Sequence, residues 1–299
     1  MTAAPIPMKP PFAYFGGKSR LADRIVALLP PHRVYLEPYL GSGAVLFAKG
    51  PAPVEIVNDL DDAIVTFFRV LRDRPDELET ACALSPYSRT EYAGSDPFAD
   101  GIDDLEIARR FWVRVSQGFA KSTAAGSGWS TTATKSVADT VHNRLGRFAP
   151  AARRLAGVQI ENCDAAELVC RSGKTADTLI YVDPPYLADT RTWRATPEGG
   201  HGYRLDHNTE RDHRRLADAL HQTDATVILS GYDNPLYDEL YDDWWRTRFD
   251  VHENTSNAAR ASRGRRTETL WSNRDLTRQP QLDLGEPAWP QPTTGCSRS

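Results

Sequence analysis

The chain has 299 residues, of which 40% are hydrophobic and 25% charged, with a formal net charge of −4. That composition is ordinary for a soluble globular protein, and no run approaches the ~20 apolar residues a membrane helix needs. No charged-then-apolar secretory leader opens the chain, and the four cysteines (Cys82, Cys163, Cys170, Cys296) form no C-x-x-C pair, so reduced thiols, a cytoplasmic location and no metal site are expected.

In chain order, residues 1–12 are Pro-rich and read as extended. Apolar positions Leu21, Ile25, Leu28 and Leu29 predict a helix over 18–29, stopped by Pro30-Pro31. Residues 33–38 read as a buried strand, followed by the turn Gly41-Ser42-Gly43 and a helix from Ala44. Residues 54–57 make a second strand, closed by Asn58-Asp59, and a helix follows over 62–72. This alternation predicts a parallel α/β sheet. From residue 75 the rhythm turns helical and stays so to 155, which marks an insert. Strands resume at 158–160, 178–182, 226–229 and 268–271. A long polar loop is expected over 187–212, where Tyr203, Arg204 and His207 lie. The tail, 277–299, is rich in Pro and polar residues and is expected to be disordered.

Three motifs carry chemistry. In Glu37-Pro38-Tyr39-Leu40-Gly41-Ser42-Gly43 a strand ends on two glycines, a turn that lets a nucleoside approach the backbone. The third glycine of the dinucleotide fingerprint is missing, Leu46 standing in its place. Asp59 follows the second strand, where an acid can accept hydrogen bonds from ribose hydroxyls; a helix N-cap is the competing reading, with Asp61 a rival for that role. Phe15-Gly16-Gly17-Lys18-Ser19 looks like the end of a P-loop, but the required earlier glycine is Phe12 and no apolar strand precedes it. The central motif is Asp183-Pro184-Pro185-Tyr186, after the apolar strand 178–182. Its prolines cannot donate backbone hydrogen bonds and hold the carbonyls rigidly. An aromatic amino group is a poor nucleophile because its lone pair is delocalised. The Asp183 carboxylate and the Pro184 carbonyl can grip its hydrogens, while Tyr186 offers a flat face to the ring.

Five segments together resemble the Dam-like family of DNA adenine-N6 methyltransferases. They are Pro11-Phe12-Ala13-Tyr14-Phe15-Gly16-Gly17-Lys18, Tyr35 through Gly43, Asn58-Asp59, Asp183 through Tyr186, and Thr267-Glu268-Thr269-Leu270-Trp271-Ser272-Asn273. The resemblance implies a Rossmann-like methyltransferase sheet carrying an inserted, mostly helical DNA-recognition domain. Residues 1–74 and 156–276 would be catalytic, and 75–155 would recognise the target. It implies S-adenosylmethionine as donor, held by Tyr14, Phe15, Gly16, Gly17 and Lys18, by Glu37, Pro38, Tyr39, Gly41, Ser42 and Gly43, and by Asp59, Asp164 and Asp183. Asp183, Pro184, Pro185 and Tyr186 would bind and methylate a flipped adenine. An amino-methyltransferase acting on cytosine, RNA or protein glutamine is the nearest alternative, and an inactive nucleic-acid-binding relative the next.

Duplex DNA is the expected partner, and basic charge is segregated accordingly. Between residues 105 and 154 nine Lys/Arg face only Glu106 and Asp139. Phe111, Val115 and Phe119 recur as a core stripe. On a helical wheel with Arg110 at 0°, Arg114, Gln117 and Lys121 fall at about 40°, −20° and 20°. That face suits phosphates, with Gln117 able to reach a base edge; a solvated helix face is the competing reading. Trp129, in a polar segment, and Arg263 and Arg265, in a Gly/Ser/Ala-rich loop, are further DNA-contact candidates. A companion restriction endonuclease and a monomeric state complete the expectations.

Overall fold

The computed structural model describes residues 7–123, 128–132, 136–187, 209–251 and 266–276. Among these, seven strands form one sheet in the order β3-β2-β1-β4-β5-β7-β6. They are β1 (Val34–Glu37), β2 (Val54–Asn58), β3 (Val158–Glu161), β4 (Thr178–Val182), β5 (Thr226–Gly231), β6 (Trp245–Val251) and β7 (Arg266–Ser272). β1 pairs in parallel with both β2 and β4, and β4 in parallel with β5. β7 runs antiparallel between β5 and β6. Every residue of β4 and of β5 is buried. That is why they read as continuous apolar runs, since a central parallel strand is covered on both faces.

β6 is absent from the sequence reading, yet Thr247 and Phe249 alternate there with Arg246 and Arg248, a period-two signal, and Phe249 is buried while Arg248 is exposed. The helix expected over 18–29 shrinks to α1 (Ala22–Val26). Residues before it turn back through Leu21 N–H to Lys18 O (2.8 Å), which delivers Lys18 inward instead of onto a helix face. The loop expected over 187–212 ends sooner. Thr209 and Asp212 form a capping box that starts a helix at Glu210. Residues 188–208, with Tyr203, Arg204 and His207, lie outside the described residues, as do Arg263, Arg265 and the 277–299 tail.

The first face of the sheet is covered by α2 (Ala44–Ala48), α3 (Asp62–Asp73), and the expected run of helices α4 (Pro75–Ala83), α5 (Arg89–Gly94), α6 (Asp104–Gln117), α7 (Val137–His142) and α8 (Phe148–Leu155). This helical run shares the core of the sheet. Phe67 and Phe68 on α3 pack with Phe12, Phe111 and Phe148 in one aromatic cluster. All five rings are fully buried, each contributing about 1.5–3 kcal/mol of transfer free energy. The other face is covered by α9 (Ala165–Ser172), α10 (Glu210–His221) and α11 (Pro235–Leu240), around Leu168, Leu216, Leu220, Tyr237 and Trp271. The chain leaves β1 for one side of the sheet and β4 for the other. The carboxyl ends of these two neighbours therefore flank the crevice where open α/β sheets bind ligands.

Candidate active site

The crevice is built from strand ends. After β1, Gly41 and Gly43 adopt left-handed backbone (φ +50° and +69°). A Cβ on Gly43 would press on the Phe47 ring at 3.0 Å, so the turn requires glycine there. Gly41 N–H donates to Asp59 Oδ2 at 2.8 Å, and Asp61 N–H donates to Asp59 Oδ1 at 3.0 Å. The N-cap of α3 is Asp61, which accepts from Ala63 N–H. The capping role therefore falls to Asp61, and Asp59 faces the crevice. Asn58 staples the loops: its amide donates to Pro38 O and Cys163 O and accepts from Cys163 N–H, all at 2.9–3.0 Å.

A cleft of about 870 Å³ opens here. It is lined by Tyr14, Phe15, Gly16, Gly17 and Lys18, by Glu37, Pro38, Tyr39, Gly41 and Ser42, and by Asp59, Asp164 and Asp183. Of the residues expected to hold the donor, Gly43 alone is not on the wall; it shapes the turn from behind, at the N-terminus of α2. Asp164 accepts from Glu167 N–H as the cap of α9 and pairs with Arg215. The buried Ser42 hydroxyl on the wall has no hydrogen-bond partner among the described residues.

The cleft is electrostatically loaded. Burial pushes the Glu37 carboxyl up to about 8, against the hydrogen bond it accepts from Tyr35 OH at 2.9 Å. Burial raises Asp59 to about 7, against the N–H groups of Asp61 and Gly41. Unfolding would return both to the ordinary carboxylate range, so the unfolded chain sheds these protons at lower pH than the folded one. The folded state holds more protons across that window, and stability falls as pH rises through it. The ligand-free protein is therefore expected to lose thermal stability between about pH 5 and about 8. A thermal-melt series across pH checks this, and Glu37→Gln should flatten the fall.

At the end of β4, Asp183 meets Lys18 Nζ at 2.7 Å, and the same ammonium lies 3.4 Å from Glu268 on β7. Lys18 also donates to Gly16 O at 3.2 Å. The turn that imitates a P-loop thus presents its lysine to carboxylates. Burial raises Asp183 to about 6; Lys18 holds it down and Glu268 pushes it further up. Tyr186 OH donates to Glu268 Oε1, which also accepts from Ser230 Oγ at 2.8 Å. The Tyr186 ring lies under Lys18 Nζ (4.8 Å to centroid) and edge-on to Tyr232 (4.6 Å). Tyr186, Tyr232 and Glu268 wall a second pocket of about 920 Å³, which shares Tyr14, Gly16, Gly17 and Lys18 with the first. Pro185 lines the first cleft; Pro184 lines neither. Sequence reasoning gave Glu268 and Tyr232 no role. An acid two residues before the buried apolar pair Leu270-Trp271 was the available signal.

The expected DNA-facing stripe does not form. α6 ends at Gln117, so Lys121 and Phe119 are off its wheel. Phe119 is 72% exposed and joins no core stripe. Gln117 is buried, donating to Pro86 O at 2.9 Å and accepting from Trp129 Nε1 at 3.3 Å. Arg110 is paired with Glu106 at 2.6 Å, and Arg114 lies over the Tyr92 ring at 4.3 Å. Trp129 packs between Tyr87 and Arg89.

A seven-stranded sheet with a reversed strand next to its edge, and acids at or just after the carboxyl ends of β1, β2, β3 and β4 around the switch point, defines a Rossmann-like methyltransferase. The chain belongs to the D12 class N6 adenine-specific DNA methyltransferase family, whose model matches residues 14–258. It is 24% identical over 291 residues to the Type II methyltransferase M1.LlaDCHI of Lactococcus lactis subsp. cremoris, across 90% of this chain and 96% of that one. Two solved structures are similar at lower levels. One is precorrin 8w decarboxylase of Methanobacterium thermoautotrophicum, at 10% identity and TM-score 0.40 over 89% of this chain and 98% of that one. The other is a Thermoplasma acidophilum protein, at 9% and 0.35 over 86% and 96%. The family decides among the alternatives the motifs left open: the enzyme methylates adenine in DNA at N6.

Proposed function

We propose that the methyl donor is S-adenosylmethionine, seated in the 870 Å³ cleft, and that the target adenine leaves the duplex to occupy the neighbouring pocket beside Tyr186. The observation that carries this reading is the pair of pockets sharing the Gly16-Gly17-Lys18 turn, with Asp183 and Pro185 on one wall and Tyr186 on the other. The donor fits the residues present. The unpartnered Ser42 hydroxyl and the Gly41 turn suit close approach by a polar ligand. Two carboxyls whose acidity is weakened by burial suit a ligand that brings positive charge and hydroxyls. Asp59 would take the ribose hydroxyls, Glu37 the charged methionine end, and Asp164 the donor's base. When bound, S-adenosylmethionine supplies an electrophilic methyl group on sulfur.

The chain's own part concerns the acceptor nitrogen. With a pKa near 6, Asp183 is ionised at neutral pH and accepts a hydrogen bond from the adenine amino group. A backbone carbonyl of the Asp183–Tyr186 turn accepts the other. Together they direct the nitrogen lone pair out of the ring system and towards the donor cleft. Asp183, or water beyond it, receives the proton that the methylated nitrogen loses. Tyr186, fixed through its hydroxyl to Glu268, stacks on the base.

Flipping costs a few kcal/mol, which duplex contacts from the helical segment 75–155 would offset. The proposal includes a cytoplasmic monomer and, by analogy with the Type II designation of the Lactococcus relative, a companion restriction endonuclease. Among the described residues no helix is long and apolar enough to cross a membrane. The reading is tested with duplexes carrying 2-aminopurine at the target base. Fluorescence should rise on binding and donor titration should be saturable; a duplex that binds with no fluorescence change would remove the flipping step.

A further inference from the structure

Part of the basic excess of residues 105–154 is consumed inside the fold. Arg109 pairs with Glu91 at 2.5 Å and Glu106 at 2.7 Å, Arg110 with Glu106, and Arg154 with Glu55 at 2.5 Å. Arg114, without an ion pair among the described residues, lies over the Tyr92 ring and donates to Tyr92 O at 3.4 Å. Three further cations cluster elsewhere. Lys121, Arg144 and Arg147 are each half-buried, and none makes an ion pair among the described residues. Among the described residues Lys121 Nζ donates to Ser116 O at 2.9 Å, and Arg147 Nη1 to Pro10 O at 3.1 Å. Arg144 Nη1 is buried with no hydrogen-bond partner among the described residues. The cations feel one another: burial and the Arg144 charge lower Lys121 to about 8, and burial and Arg147 lower Arg144.

Half-buried like charges with no counter-charge destabilise a fold. The backbone makes the arrangement costlier still. Lys121 sits at φ +57°, the one non-glycine residue with positive φ among those described. Strain of that kind persists only when the surroundings over-determine it, and it gathers at functional sites. The location is specific. Lys121 O accepts from Phe15 N–H at 3.0 Å, and Arg147 braces Pro10. Both ends of the segment that runs into the Gly16-Gly17-Lys18 turn, between the two pockets, are therefore tied to this cationic cluster.

We infer that Lys121, Arg144 and Arg147 form a binding site for a backbone phosphodiester of the duplex, beside the pocket that receives the target base. The inference rests on duplex DNA being the substrate. A phosphodiester supplies the missing counter-charge, and its oxygens match the guanidinium fork. A clamp on the strand next to a flipped nucleotide also gives binding energy where unstacking must be offset. It replaces the α6 face, Arg110, Arg114 and Gln117, as the anchor for DNA.

The test uses the full chain with Lys121→Gln, Arg144→Gln and the double variant, and Arg246→Gln on β6 as a control. Affinity for a short unmethylated duplex is measured across a salt titration, together with thermal midpoints and single-turnover methylation at saturating DNA. The double variant should bind about 10-fold more weakly, and its slope of log affinity against log salt should drop by about 0.9 for each phosphate it no longer neutralises. Its thermal midpoint should hold or rise, because uncompensated cations are gone, and its single-turnover rate should stay near wild type. An unchanged salt slope would overturn the site, whether or not the midpoint falls. Inorganic phosphate that displaces the duplex from wild type, beyond chloride of equal ionic strength, but not from the double variant would support the site, because competition at the cluster requires the duplex to occupy it. A wild-type protein that binds no duplex would instead sink the substrate reading itself.

Discussion

Asp183→Ala is expected to reduce methyl transfer by roughly 10³-fold or more, while donor affinity stays within about threefold. The carboxylate lies at the end of the fully buried β4 and touches the shared wall of both pockets through Lys18. Its removal takes away the acceptor that draws the adenine lone pair out of conjugation. It also removes one of the two carboxylates that face Lys18, turning a net-negative trio with Glu268 into a neutral pair beside the base. Asp183→Asn should be nearly as impaired, because a neutral amide is a weaker acceptor and cannot take a proton. Single-turnover rates separate this from a binding defect. The wild-type rate should fall as pH drops through about 6, the value to which burial raises Asp183, since protonation removes the acceptor.

Asp59→Ala should show the opposite pattern. Donor affinity is expected to fall about 100-fold, with turnover at saturating donor recovering to within several-fold of wild type. Asp59 Oδ2 and Oδ1 already hold Gly41 N–H and Asp61 N–H, so the carboxylate is fixed in place before a ligand arrives. Removing it strips away the ribose hydrogen bonds and loosens the Gly41 turn. Asp59→Asn retains one acceptor oxygen and should lose less. Calorimetric donor titration reads the affinity, and the split between KM and kcat reads the chemistry. Asp59 and Asp183 variants that failed in the same way would mean the two pockets are not functionally distinct.

Much of this site was legible because its parts are local. The Asp183-Pro184-Pro185-Tyr186 loop follows its strand directly, and the Gly41 turn carries its own backbone signature. Contacts between distant segments were not legible. Lys18 and Asp183 are 165 positions apart, and nothing in either motif announces their ion pair. The role of Glu268 appears only when β7 is inserted antiparallel beside β5.

The expected DNA face failed for a related reason. A helical wheel assumes the helix continues, but Gly118 breaks α6 after Gln117, and Lys121 adopts a left-handed backbone. A charge count likewise cannot show which cations are already neutralised. Glu55 and Glu91, which take Arg154 and Arg109, lie outside the stretch whose charge was counted. The fold was more readable than the edge of its sheet, where β6 needed its alternating pattern to be weighed against the many charges around it.

The most direct test of the central claim is nucleoside mass spectrometry, with position mapping by sequencing, of unmethylated duplex DNA after incubation with enzyme and S-adenosylmethionine. N6-methyladenine at defined sites, with none formed by Asp183→Ala, is the predicted result. Methylated cytosine in place of adenine, or an Asp183→Ala protein as active as wild type, would contradict it.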